Sequence, residues 1–276
     1  MLFGVKEALD ECLFPWYLIR GRKPFVPGYY TAKRRAIERS IEQNALHLRG
    51  DFEPQYGRFM DERVVEYPWV YTQLPNQPGA VLDAGSALNY RHLLCRPPIS
   101  NARLTIMTLA PEKRCYWDRG VSYVYGDLRA TNFQDAAFNA IVSISTIEHI
   151  GLDNTLLYTG DVTKKESNSG GYEPAVREFR RLLAPGGLCL ITVPFGRRAV
   201  RDWFQVFDQE MVDRVLAAFN PTVATVEYFG YGPQGWHRST AEVVRDAEFF
   251  DVQTTPELDA DWAAGARAVA CIRMQA

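Results

Sequence analysis

Ala80-Val81-Leu82-Asp83-Ala84-Gly85-Ser86-Ala87-Leu88-Asn89 decides how the rest of the chain is read. A short apolar run ends in an acid, a glycine and a small polar residue, and a helical pattern follows. That is the signature of a buried strand opening through a turn into a helix. In an open α/β sheet, ligands bind outside the carboxyl ends of such strands. A dinucleotide fold needs Gly-x-Gly-x-x-Gly there, because the backbone must approach a pyrophosphate closely. Here Gly85 stands alone, with Ala87 and Leu88-Asn89-Tyr90 where further glycines belong. The turn therefore argues against NAD or FAD and suits a nucleoside ligand without phosphates.

Downstream the same rhythm repeats. Apolar runs at 104–109, 121–125, 140–145 and 188–193 read as further strands. Helical patterns fall between or after them, at about 90–95, 147–152, 172–183 and 208–218. Strands alternating with helices predict a parallel sheet covered on both faces. Residues 222–229 and 266–274 read as two last strands, the final one expected to insert antiparallel.

Each strand end carries a polar cluster. Tyr125-Gly126-Asp127-Leu128 follows the third strand; its carboxylate could accept a hydrogen bond from an adenine amino group while Leu128 packs on the ring, or it could cap a turn. The fourth strand opens onto Ser145-Thr146-Ile147-Glu148-His149-Ile150-Gly151-Leu152. Arg181-Leu182-Leu183-Ala184-Pro185-Gly186-Gly187 stops a helix before the fifth.

In this order and spacing, Asp-Ala-Gly-Ser, Gly-Asp-Leu, Ser-Thr-Ile-Glu-His-Ile-Gly-Leu and Arg-Leu-Leu-Ala-Pro-Gly-Gly resemble class I S-adenosylmethionine (SAM)-dependent methyltransferases. The single-glycine turn and the Ser-Thr-Ile-Glu-His string resemble a branch associated with polysaccharide and glycan biosynthesis. The resemblance spans roughly residues 79–200. It implies a Rossmann-like α/β domain over 79–276, with a mostly parallel seven-stranded sheet, and a helical N-terminal extension over 1–78 capping the cofactor cleft.

It also implies roles. Asp83, Gly85 and Ser86 would hold the methionine part of SAM. Thr108, with Leu109 beside it, stands where the family places an acid on the ribose, and Glu112 could substitute from the next turn. Asp127 and Leu128 would frame the adenine; Ser145 and Thr146 would lie beside the sulfonium and the acceptor. His149 is the candidate base for a hydroxyl acceptor, because its ordinary pKa suits proton transfer near neutrality. It could instead pack inside its short helix. Glu148 would bind an acceptor hydroxyl or orient a neighbour.

For the acceptor side, the glycine- and aromatic-rich stretch Gly230-Tyr231-Gly232-Pro233-Gln234-Gly235-Trp236-His237 offers Trp236 and His237 as sugar or ring contacts, or as a surface loop with a buried tryptophan. Residues 152–171 form a long insertion that reads as a lid and contributes Tyr158. Asp161 lies there, but no spacing makes a metal site, and none is expected.

The N-terminal region differs in pattern. Leu13-Phe14-Pro15-Trp16-Tyr17 is aromatic and Pro-interrupted, and a helix is expected over 31–48. Arg20, Arg22, Lys23, Lys33, Arg34, Arg35 and Arg39 make the segment basic, so peripheral contact with anionic membrane is one reading and a solvated helix face the other.

Composition bounds the rest. In 276 residues, 47% hydrophobic content supports a sizeable core. A net charge of −2 gives no global basic excess, so no nucleic-acid partner is expected. Five scattered cysteines without a CxxC pair, and no signal-peptide pattern at the N-terminus, point to a cytoplasmic protein. The reading favours methylation of a sugar or glycan-linked hydroxyl. Methylation of a small natural-product scaffold, a nicotinamide oxidoreductase and a catalytically silent binding module are the alternatives.

Overall fold

The computed structural model describes residues 2–44, 46, 50–155, 157, 160–251, 257–258 and 260–276. Helices α1 (Leu2–Ile19), α2 (Tyr29–Gln43) and α3 (Arg63–Gln73) precede the sheet. Then follow β1 (Ala80–Ala84), a one-turn helix α4 (Arg91–Leu94), β2 (Arg103–Thr108), β3 (Ser122–Tyr125) and β4 (Phe138–Ile144). Helix α5 (Tyr172–Leu182) leads to β5 (Leu183–Pro194), then a small hairpin of β6 (Ala199–Val200) and β7 (Gln205–Val206). Helix α6 (Gln209–Phe219), β8 (Val223–Gly232), β9 (Gly235–Ser239), the short α7 (Ala241–Val244) and β10 (Ala268–Gln275) complete the chain.

The main sheet has eight strands in the order β3-β2-β1-β4-β5-β10-β8-β9. Strands β1 to β5 are parallel, and β10 inserts antiparallel between β5 and β8, as expected. The fold is therefore Rossmann-like, with eight strands where seven were expected. The extra one is β9, which pairs antiparallel with β8 and spans part of the stretch read as a loop. Its residues were hidden because Gly232-Pro233-Gln234-Gly235 reads as loop chemistry, whereas it is the turn of a hairpin.

Period-two alternation places the core. Val81, Ile106, Val142, Leu190 and Cys271 face one side of the sheet, against α3. Leu82, Met107, Ile141, Ile191 and Ile272 face the other, against α5 and α6. Strand order reverses between β1 and β4, so the crevice at the carboxyl ends of those two strands is the topological switch point.

Helix α3 positions one wall of that crevice. Its sequence, Arg63-Val64-Val65-Glu66-Tyr67-Pro68-Trp69-Val70, conceals a helix because Pro68 lacks the N–H that Val64's carbonyl would accept. The Tyr56 hydroxyl donates to that carbonyl instead, at 2.7 Å. Tyr67 and Tyr71 then tie the helix to the loop after β1 and to α4, donating to the carbonyls of Ala87 (2.8 Å) and Leu93 (2.7 Å).

Candidate cofactor and acceptor cleft

The ends of the first four strands converge on a single cavity of about 310 Å³. Gly85 follows β1; Thr108 and Leu109 end β2, with Glu112 beyond; Gly126, Asp127 and Leu128 follow β3; Ser145 and Thr146 follow β4. His149, Asn154, Leu157 and Glu166 close it from the segment after β4, and Arg63 from α3.

The first turn is built by Asp83, which does not reach the cavity. Asp83 is fully buried, and its carboxylate accepts the backbone N–H groups of Ala87 (3.2 Å) and Leu88 (2.8 Å). Burial pushes the carboxyl up to about 7, against the pull of these two donors. Asp83 thus shapes the turn, where direct cofactor contact was expected. Ser86 is also turned off the cavity wall, with its hydroxyl buried and unpartnered. Gly85 does line the wall, at φ 117°. A Cβ on Gly85 would fall 2.0 Å from Thr146 Oγ1, so the β1 turn and the β4 tip touch at van der Waals limits.

At the opposite end, Asp127 faces the cavity but is already engaged. Arg129 donates to both its oxygens, and forks onto both oxygens of Glu166 at 2.6 Å. Partial burial raises the Asp127 carboxyl, but the Arg129 hydrogen bonds outweigh it and hold the group low. Glu166 belongs to the insertion, so this fork pins the insertion over the cavity. Its neck is narrow: Gly151 and Gly171 meet so closely that a Cβ on Gly171 would lie 2.7 Å from Gly151 Cα. Tyr158, the expected acceptor contact there, lies outside the described residues. Asp161 caps its own turn through Thr163, and no cluster of metal-ligating side chains occurs among the described residues.

The β4 tip is held from behind by a buried acid. Glu66 Oε1 accepts the hydroxyls of Ser145 and Thr192, both at 2.6 Å, and Oε2 accepts Arg63 at 2.7 Å. Ser145 sits at φ 39°, a left-handed conformation unusual for serine. Arg63 lines the cavity, and its pair with Glu66 anchors it there. An acid in the apolar run Val64-Val65-Glu66-Tyr67 was the available signal, since a buried carboxylate implies built-in partners.

His149 stacks on Trp203, with ring centroids 5.2 Å apart and planes 15° apart. Its Nδ1 donates to the Trp203 carbonyl at 2.7 Å, which leaves Nε2 with a free lone pair. Burial drives its pKa down to about 4, so the ring is neutral near pH 7. Glu148 lies behind it, buried, with Oε1 3.8 Å from His149 Nε2 and Oε2 without a partner. Burial raises its carboxyl well above the usual range. It does not line the cavity.

Trp236 and His237 are not at the site. Trp236 is 1% exposed, packs in the core, and donates through Nε1 to the Met60 carbonyl at 3.0 Å. His237 lies on β9, the far edge of the sheet from β1 and β4. Arg63, Glu66, Arg129 and Glu166 were missed at the sequence level.

No family model and no curated protein matches this chain. Among solved structures it is similar to the 1,6-didemethyltoxoflavin N1-methyltransferase of Burkholderia thailandensis, crystallised with 1,6-didemethyltoxoflavin and S-adenosylhomocysteine. That match has 13% identity over 98% of this chain and 88% of the other, with a TM-score of 0.45. It is similar to a SAM-dependent methyltransferase of Thermotoga maritima at 13% identity, 87% and 98% coverage and TM-score 0.47. It is similar to the [4+2]-cyclase SpnF at 14% identity, 71% and 73% coverage and TM-score 0.42. Likeness at this level leaves the chemistry to be argued from the cleft itself.

Proposed function

We propose that this chain is a SAM-dependent methyltransferase acting on a small-molecule acceptor. One observation carries the reading: the four strand tips enclose a cavity of ligand size whose first turn has one glycine and no phosphate cradle. The donors around it suit an adenosyl group. Thr108 and Glu112 offer a hydroxyl and a carboxylate to a ribose diol, and Leu109 and Leu128 offer apolar surface to the base. Asp127, though bridged to Arg129, keeps lone-pair capacity for an amino group. The close contact of Gly85 with Thr146 leaves backbone facing the methionine end, and Arg63 supplies a cation for its carboxylate.

SAM, when bound, supplies a methyl group already activated on a sulfonium, so the protein's work is positioning and proton removal. His149 Nε2 would take the acceptor proton as the new bond forms. The Trp203 carbonyl holds the tautomer that this role requires. Burial, with the Arg63 charge adding to it, keeps the imidazole uncharged, and burial also raises the carboxyl of neighbouring Glu148. At about 4 the ring is a weaker base than the ordinary imidazole expected from sequence, so it takes the proton only as the new carbon–oxygen bond forms and the acceptor oxygen becomes acidic. Within hydroxyl acceptors we retain a sugar or glycan-linked hydroxyl as the narrower proposal.

Calorimetry with S-adenosylhomocysteine, followed by methyl transfer from labelled SAM to a panel of hydroxyl-bearing acceptors, tests the reading. Binding and transfer are expected; no heat at millimolar ligand would remove it. Substituting His149→Ala is expected to cut kcat by about 10²–10⁴-fold with S-adenosylhomocysteine affinity intact. In the unsubstituted enzyme, neutral His149 is the active form. Rate should therefore hold as pH falls and be lost only near pH 4, the folded value, and not near 6.5. An acid limb at 6.5, or an unaffected turnover in the variant, would assign His149 to packing.

A further inference from the structure

We propose that the end of α1 and the loop after it form a surface that docks onto an anionic lipid bilayer. The proposal is independent of the cleft and of its chemistry.

Trp16, Leu18 and Ile19 are exposed at the end of α1, Ile19 at 79% and Trp16 at 58%. Phe25, Val26 and Tyr30 continue this apolar surface across the connection to α2. Isolated exposed apolar residues are ordinary, but a contiguous group of large ones marks an interaction surface. Tyr17, between them in sequence, turns inward and is 2% exposed, so the helix is seated on the protein by its other side. Buried Tyr17 packs edge-on to Tyr29.

The stretch of chain that joins the two halves of this patch carries charge of one sign. Arg20, Arg22 and Lys23 lie between its two halves, and from 12 to 37 the chain contains no acid. Among the described residues no carboxylate pairs with these three cations. Arg20 rests near the Trp16 ring, 5.7 Å from its centroid, and Lys23 near Trp262 at 5.4 Å. Asp10 and Glu11 on α1 already have partners. Asp10 accepts the backbone N–H groups of Gly28 (2.6 Å) and Thr31 (2.7 Å), and Glu11 pairs with Arg34 and Arg35.

An apolar tip of aromatic and aliphatic side chains threaded with unpaired cations is complementary to one partner in particular. The rings and Ile19 enter the interfacial layer while Arg20, Arg22 and Lys23 meet lipid phosphates. A second protein surface with matching apolar area would leave the three cations to find acids; a bilayer offers them at every point. Among the described residues no helix is long and apolar enough to cross a membrane, so this surface rests on the bilayer.

Co-sedimentation of the full chain with vesicles tests this, using phosphatidylcholine alone and phosphatidylcholine mixed with phosphatidylglycerol. Binding is expected to the mixed vesicles only, and to weaken as salt is raised. The triple variant Arg20→Glu/Arg22→Glu/Lys23→Glu is expected to lose at least about 100-fold in partitioning. The double variant Trp16→Ser/Ile19→Ser is expected to lose binding even to mixed vesicles. All these positions are exposed, so both variants should unfold at the temperature of the parent, which thermal melts check. Equal binding to the two vesicle types, or none to either, overturns the proposal. A concentration-dependent dimer that vanishes in Trp16→Ser/Ile19→Ser assigns the face to a second copy and overturns it too.

Discussion

Glu66→Ala is expected to lower the stability of the fold by about 3–5 kcal/mol, the range for breaking a buried charge pair from one side. Glu66 has no exposed side-chain surface and accepts three hydrogen bonds. Alanine leaves the Ser145 and Thr192 hydroxyls and the Arg63 guanidinium facing an apolar hole. Each orphaned neutral donor costs about 1–3 kcal/mol, and the losses are not additive. The damage also reaches the cleft, because Ser145 is held at φ 39° by that bond and by its own N–H to the Thr192 carbonyl at 3.0 Å. Glu66→Gln keeps the shape and an oxygen for the two hydroxyls, but turns an amide donor toward Arg63. It should cost less than alanine while weakening S-adenosylhomocysteine binding. Urea unfolding read by tryptophan fluorescence measures the stability of both variants, and calorimetry the affinity. An alanine variant within about 1 kcal/mol of the parent would mean that the Glu66 network is incidental, since surface substitutions fall in that range.

That network also marks where the sequence was legible and where it was not. The parallel strands could be read because each is a short apolar run with both faces buried, and β1, β2, β4 and β5 each end within a residue or so of where the pattern predicts. The cavity wall was readable for the same reason: Gly85, Thr108, Leu109, Asp127, Leu128, Ser145, Thr146 and His149 follow strand ends, and all eight line it. What could not be read depends on partners distant in the chain. Asp83 sits at the right strand end, yet its two oxygens turn to backbone N–H groups that sequence does not locate. Trp236 carries the aromatic surface a sugar site would want, but its strand pairs at the far edge of the sheet, and pairing order is a long-range fact. Helix α3 was hidden by Pro68, whose missing donor is replaced by a tyrosine twelve positions earlier, Tyr56. Arg129 and Glu166 meet across 37 positions, because the insertion folds back on itself through the Gly151–Gly171 neck and backbone bonds such as Glu166 N–H to the Leu152 carbonyl.

Gly85→Val should abolish cofactor binding, and the structure changes the reason from the one the turn alone suggests. From sequence, the side chain would intrude on the ligand. In the fold, it strikes Thr146 first: the Cβ would lie 2.0 Å from Oγ1, 2.4 Å from Cγ2 and 2.7 Å from Cβ. The Thr146 side chain cannot swing away freely, since Oγ1 donates to the Ile144 carbonyl at 3.0 Å. A φ of 117° adds strain of about 1–3 kcal/mol for any residue with a Cβ. The β1 turn and the β4 tip must therefore separate, and they are two of the four walls of the cavity. S-adenosylhomocysteine affinity is expected to fall by at least about 100-fold, or about 2.7 kcal/mol. Two companion variants separate the causes. Gly85→Ala alone should show nearly the full loss, because the first carbon already collides. Gly85→Ala with Thr146→Gly removes all three colliding atoms and should recover part of the affinity, leaving only the backbone strain. Calorimetry on variants shown to be folded by circular dichroism reads both. If Gly85→Ala binds S-adenosylhomocysteine as the parent does, the contact between these two strand ends has no part in forming the site.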